Sequence, residues 1–170
     1  QLITIGVALA IFLGTLGLES VVAIPSVVEF KGRLEVFVPS TATAAVTHES
    51  ITQPVKGDNS RELKVGDTVE VKSGLGVVIH FSDRGLVRLS ENAVLSVDFL
   101  DNQQNSYVLN LKQGRAWANN IYTAAQFNLI ANGAYLIPNY AAVDVRIDGQ
   151  KTLVYANRHQ VSVGFVPLDY

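Results

Sequence analysis

Two hydrophobic patterns divide the chain. Residues 2–18, "LITIGVALAIFLGTLGL", carry no charge, and after Glu19 and Ser20 the apolar run continues from Val21 to Ile24. A bilayer core is crossed by roughly 20 apolar residues of helix, and Pro25 disfavours helical backbone at the residue before it. The pattern predicts one N-terminal hydrophobic α-helix within residues 1–25, embedded in membrane lipid or buried in an assembly. The competing readings are a retained signal-peptide core and a helix buried in a soluble fold. A signal core runs only about 7–15 residues before a small-residue cleavage site. Gly6, Ala10 and Gly14 recur every fourth residue and share one helix face, where small side chains let a second helix approach closely. They are the candidate helix-packing residues. Flanking charge does not orient the helix, because its nearest basic residues, Lys31 and Arg33, both lie downstream.

From Val27 the period becomes two. "VVEFKGRLEVFV" (27–38) alternates around Gly32 and predicts a strand or one arm of a hairpin. Residues 39–60 are small, polar and punctuated by Pro and Gly, which predicts mostly loop with one short strand near Ala44–Val46. Turn signals then recur at Gly66-Asp67, Ser73-Gly74, Asp83-Arg84-Gly85, Asp101-Asn102, Gly114, Asn132-Gly133 and Asp148-Gly149. Asn132-Gly133 and Asp148-Gly149 sit between alternating apolar arms, where both central residues of a hairpin turn can take positive φ. No later segment holds a helical period for more than about two turns. The expected fold is an all-β domain of about nine to twelve short strands, most simply a sandwich or roll and alternatively a solenoid. The expected organisation is the helix (1–25), first strands and a polar loop (26–62), and the remainder of the β-domain (63–170).

Composition narrows the function. With 13 Lys and Arg against 15 Asp and Glu, scattered along 170 residues, there is no basic patch for nucleic acid, and none is expected as a partner. The absence of cysteine removes disulfides, thiolate metal sites and a Cys nucleophile. Methionine is absent too, even at position 1, so Gln1 is not expected to be the start of translation.

The candidate chemistry is thin. His80 stands on the strand face opposite Ile79 and Phe81, and His159 has no partner in its own segment. His48-Glu49-Ser50 brings three polar groups together on a small-residue loop without a glycine elbow. Neither HExxH nor any two-histidine ligand spacing occurs, nor do GxSxG, GxGxxG or a P-loop. Asp67, Asp83, Asp101 and Asp148 fall in turn signals, where a carboxylate bonds nearby backbone N–H groups. No enzyme activity, metal or cofactor is therefore expected. Trp117, Tyr122, Tyr135 and Tyr140 either fill the core, as aromatics in strands commonly do, or form a stacking platform for glycan or peptide. Trp117, Tyr122 and Tyr140 are the candidate interaction surface.

The ordered series of turns and strands resembles the FecR-type periplasmic domain over roughly residues 30–166. The matching features are Leu63, Gly66 and Asp67; Ser73 and Gly74; Val77, Ile79 and Phe81 with Asp83; and Val87, Arg88 and Leu89. Gly114-Arg115-Ala116-Trp117 follows within "LNLKQGRAWANN", and 124–165 supply the closing strands. Pro138-Asn139-Tyr140 stands where that family usually carries Arg-Gly-Thr. The resemblance implies a single-pass, cell-envelope protein anchored in the cytoplasmic membrane with its β-domain outside. Signalling members receive a signal from an outer-membrane transporter and control a sigma factor through a cytoplasmic segment. That role would require such a segment ahead of residue 2.

The leading expectation is thus a non-enzymatic, membrane-anchored interaction module that associates with itself or with another envelope protein. The alternatives are a structural subunit of a filament with the helix at its core, a transmembrane sensor of the FecR type and a glycan-binding module.

Overall fold

The computed structural model describes residues 33–82, 84–121 and 123–165. The N-terminal helix with Gly6, Ala10 and Gly14 lies outside the described residues. So do the 27–32 portion of the first expected strand, Asp83 and Tyr122. Among the described residues no helix is long and apolar enough to cross a membrane.

The described chain is all-β and forms two open sheets. Across the first sheet run β14 (Lys151–Arg158), β13 (Ala142–Asp148), β10 (Arg115–Asn119), β7 (Leu86–Leu89), β6 (Val77–His80), β1 (Glu35–Val38) and β4 (Asn59–Glu62). Across the second run β15 (Ser162–Phe165), β12 (Ala134–Ile137), β11 (Gln126–Ala131), β9 (Ser106–Gln113), β8 (Val94–Asp101), β5 (Thr68–Gly74), β2 (Ala42–His48) and β3 (Ile51–Lys56). The chain shuttles between the sheets while advancing along both, so a sandwich is built with the stepwise progress of a roll. β9 and β11 pair in parallel, because β10 crosses to the other sheet and back between them. A parallel pair needs such a crossover, whereas antiparallel neighbours need only a tight turn.

One shared core explains the alternation. Val36 and Val38 of β1, Val77 and Ile79 of β6, Val87 and Leu89 of β7, and Val143 and Val145 of β13 point inward from the first sheet. From the second, Val69, Leu95, Leu109, Leu111 and Leu129 meet them in the same cluster. Phe81, just after β6, stacks on Phe127 of β11 at 4.5 Å and lies tilted against Tyr107 of β9 at 5.9 Å. Core filling therefore falls to Phe81, Tyr107 and Phe127 rather than to Trp117 or Tyr140.

The chain turns between sheets at corners with no room for a side chain. Gly76, between β5 and β6, has φ +104°, and a Cβ there would lie 2.1 Å from the Leu89 carbonyl oxygen. Gly114, the single residue between β9 and β10, has φ +85°, with a Cβ position 2.7 Å from Ala93 Cα. Backbone blocks both positions, so no rotamer relieves the clash.

Several expectations need correction. Residues 39–60 are mainly strand: β2, β3 and the start of β4 replace most of the expected loop, with β2 pairing on both sides. Small Ala and Thr side chains suit a strand held between two neighbours but give a weak signal in sequence. The turn joining β2 to β3 is Glu49-Ser50, both left-handed (φ 45° and 72°), with no glycine or asparagine to mark it. Among the described residues fifteen strands are present, more than expected. Asn132 and Gly133 do both take positive φ. At the second hairpin Asp148 is instead the last strand residue, opposite Lys151, and left-handed geometry falls on Gly149.

Gly76→Ala and Gly114→Ala should each lower unfolding stability by about 1–3 kcal/mol or more, as expected for forced left-handed backbone with a backbone clash. Denaturant unfolding of the chain measures this; a loss below about 0.5 kcal/mol, typical of a surface substitution, would contradict the corner geometry.

Candidate interaction surface

The outward residues of the first sheet are fixed by the same alternation that fills its core. In β10, Ala116 and Ala118 are fully buried, which leaves Arg115, Trp117 and Asn119 facing out. Register then lines up side chains from strand to strand. Trp117 lies opposite Asp144 of β13 on one side and Arg88 of β7 on the other. The row continues from Asp144 to Tyr155 of β14, and from Arg88 through Val78 and Phe37 to Ser60 of β4. It therefore crosses all seven strands.

Trp117 is the centre of this face. The Arg88 guanidinium carbon sits 6.0 Å from its ring centroid, at the outer limit of a cation–π contact. Arg115 Nε donates to both carboxylate oxygens of Asp144 at 2.8 and 3.1 Å, and Arg115 Nη2 also donates to Asp144 Oδ2. This fork pushes the Arg115 guanidinium further toward its charged form. It also turns Arg115 away from Arg146, its directly opposite like charge. Neither Arg88 nor Arg146 has a carboxylate within ion-pair distance among the described residues. Arg88, Ser90, Arg115 and Trp117 together line a shallow depression of about 380 Å³. Three arginines against one aspartate around an indole make a basic, aromatic platform.

The next row is polar and more enclosed. Asn119, Leu86, His80, Glu35 and Glu62 follow one another across β10, β7, β6, β1 and β4. Glu35 is buried, and its Oε1 has no hydrogen-bond partner. Glu62, its like-charged neighbour, is drawn away by Arg33 at 2.8 Å.

Tyr140 does not join Trp117. It is 62% exposed in the loop between β12 and β13, at φ 50°, and borders two depressions that Trp117 does not reach. Beneath that loop, Asn120 Nδ2 donates to the carbonyls of Pro138 at 3.0 Å and Ala125 at 3.3 Å, and its backbone N–H to Ala141. The Pro138-Asn139-Tyr140 departure thus closes onto the crossover between β10 and β11.

His48 occupies a second possible site. Its Nδ1 lies 2.6 Å from Asp67 Oδ1, while Asp67 Oδ2 accepts the Lys64 N–H at 2.9 Å. Asp67, 19 residues along the chain, could not be matched to His48 from sequence. Among the described residues no hydroxyl lies within hydrogen-bond distance of His48. The pair ties the β2–β3 hairpin to the turn before β5. No three metal-ligating side chains converge among the described residues.

Sequence reasoning singled out Trp117 but not Arg88, Asp144, Arg146 or Tyr155 as its neighbours. Strand alternation turns each of them outward, and only the strand order places them together. The chain matches no family model, and no curated protein or solved structure is significantly similar to it.

Burial pushes the His80 imidazole below its usual 6.5, partly opposed by Glu35. The fold therefore favours the neutral ring. Its contribution to stability is complete above about pH 6.5 and is lost as pH falls from there through the lower folded value. His80→Gln should flatten the fall in unfolding midpoint between pH 7 and pH 5; an unchanged slope would contradict this.

Proposed function

We propose that the chain is a non-enzymatic interaction module of the cell envelope, resembling the FecR domain, anchored by residues 2–24 with its β-domain outside the cytoplasmic membrane. The outer face of the seven-stranded sheet binds the partner, and Trp117 is its anchor. The observation that carries this reading is the Trp117, Arg88 and Arg115 platform, held on paired strands rather than loops. Trp, Tyr and Arg are the residue types that dominate binding energy at protein interfaces. A half-buried indole beside Arg88, which has no carboxylate within ion-pair distance among the described residues, suits an acidic segment of another envelope protein, which would receive charge-assisted hydrogen bonds and ring contact together.

The placement of the anchor is supported by the uncharged length of residues 2–18 and its extension to Ile24. The FecR likeness rests on the turn series from Leu63 to Trp117. In that series Asp67 serves as a turn cap, its backbone N–H donating to Lys64 and its carboxylate accepting from it.

Topology gives the test, and the absence of cysteine makes it clean. Ser73→Cys places one exposed thiol on the second sheet, away from the platform. In intact spheroplasts a membrane-impermeant maleimide should label this variant, and the protein should stay with the membrane through alkaline carbonate washing. Labelling only after lysis, or release by carbonate, would overturn the anchored, extracytoplasmic reading.

A further inference from the structure

The two ends of the sandwich treat their open edges differently. At one end β3 and β4 border the two sheets, and the Gly57-Asp58 turn connects them. Arg61 Nη1 reaches from β4 to Gln53 of β3 at 2.8 Å. β3 contains Pro54, which has no N–H to offer a further strand, and β4 reads Asn-Ser-Arg-Glu. These features blunt an edge against pairing. At the other end the longer strand keeps its charges, Lys151 and Arg158, and its one register irregularity toward its ends. β14 is eight residues long and keeps unbroken register with β13 from Lys151 to Ala156. Its centre is Leu-Val-Tyr, with Leu153 and Tyr155 exposed on the outer face and Val154 leaning on the core. Among the described residues no strand pairs with its outer side, and such an edge offers a row of N–H and C=O groups flanked by apolar side chains.

We propose that β14 pairs antiparallel with β14 of a second copy about a two-fold axis through Val154. Its own sequence selects this occupant. In that register Leu153 faces the partner's Tyr155, and the match occurs twice, placing an aliphatic side chain against an aromatic ring on the outer face. Val154 meets the partner's Val154, and Thr152 meets the partner's Ala156. Lys151 faces the partner's Asn157, so no like charges oppose each other within the paired segment. Shifting the centre to Leu153 sets Tyr155 against the partner's Lys151; shifting it to Tyr155 sets Leu153 against the partner's Asn157. Both lose the aliphatic–aromatic pairs that stabilise cross-strand neighbours. A two-fold contact of this kind closes as a dimer rather than growing into a fibre. The two seven-stranded sheets become one, and both Trp117 rows lie on the same continuous face. This inference stands on the β14 edge alone and does not depend on what binds Trp117.

The test uses the full chain in mild detergent. Val154→Cys supplies a single thiol on the axis, where directly opposed strand residues lie about 4.5–5.5 Å apart between Cα atoms, within disulfide range. Mild oxidation should convert most of the chain to a covalent dimer. Adding Leu153→Lys and Tyr155→Lys should cut that product about tenfold or more, because both aliphatic–aromatic pairs are lost and like charges then stand directly opposite each other twice across the seam. In the unsubstituted chain, amide exchange over residues 151–156 should slow as protein concentration rises. A folded Val154→Cys chain that stays monomeric on oxidation would overturn the proposal. So would a covalent dimer indifferent to the two lysines, as N-terminal helix association alone would give, or amide exchange independent of concentration.

Discussion

The stack of Phe81 on Phe127 joins the two sheets through the shared core, and the outer face depends on the register that this core holds. Phe81 enters from the turn after β6, Phe127 from β11, and Tyr107 leans in from β9. A stacked pair of this kind contributes about 0.5–1.5 kcal/mol beyond the area it buries. Its larger effect is on register. A one-residue slip in β6 or β11 would send a core side chain to solvent. With register held by this core, each strand of the first sheet must turn its even or odd residues inward, and the remainder form an outer face with a fixed order.

That outer face is unusual in what it carries. Trp117 is the only tryptophan of the chain, and it stands in a strand flanked on both sides rather than in a loop. Arg115 is fixed by its fork to Asp144, while Arg88 rests beside the ring with no carboxylate within ion-pair distance among the described residues. A binding surface built on paired strands loses little conformational freedom when a partner arrives, which favours affinity without large area. Tyr140, by contrast, projects from a loop pinned by Asn120, at a different place in the molecule.

Much of the architecture was legible in the sequence because alternation and turn chemistry are local properties. Val77, Ile79, Val87 and Leu89 declared their inward faces, and Asn132-Gly133 declared its hairpin. What the sequence concealed was either weakly marked or non-local. β2 is written in Ala and Thr, and its turn to β3 uses Glu49-Ser50, which no turn preference would single out. Gly114 read as an ordinary turn glycine and Gly76 stood next to the Ser73-Gly74 signal without one of its own, although both carry the chain between sheets. The pairing of β10 with β7 and β13, which brings Arg88 and Asp144 beside Trp117, depends on strand order. Asp67 likewise read as a turn residue, and its bond to His48 depends on how β2 meets the loop before β5.

The claim that a partner covers the Trp117 face can be tested by thiol footprinting in place. Ser90→Cys puts a nearly isosteric thiol into the depression shared by Arg88, Arg115 and Trp117, and the chain contains no other. Its maleimide labelling rate should be compared between native envelopes and the purified chain, each normalised to Ser73→Cys on the other sheet. Labelling at position 90 several-fold slower in envelopes, with position 73 unchanged, is the expected result. Equal normalised rates in both settings would contradict a partner on this face.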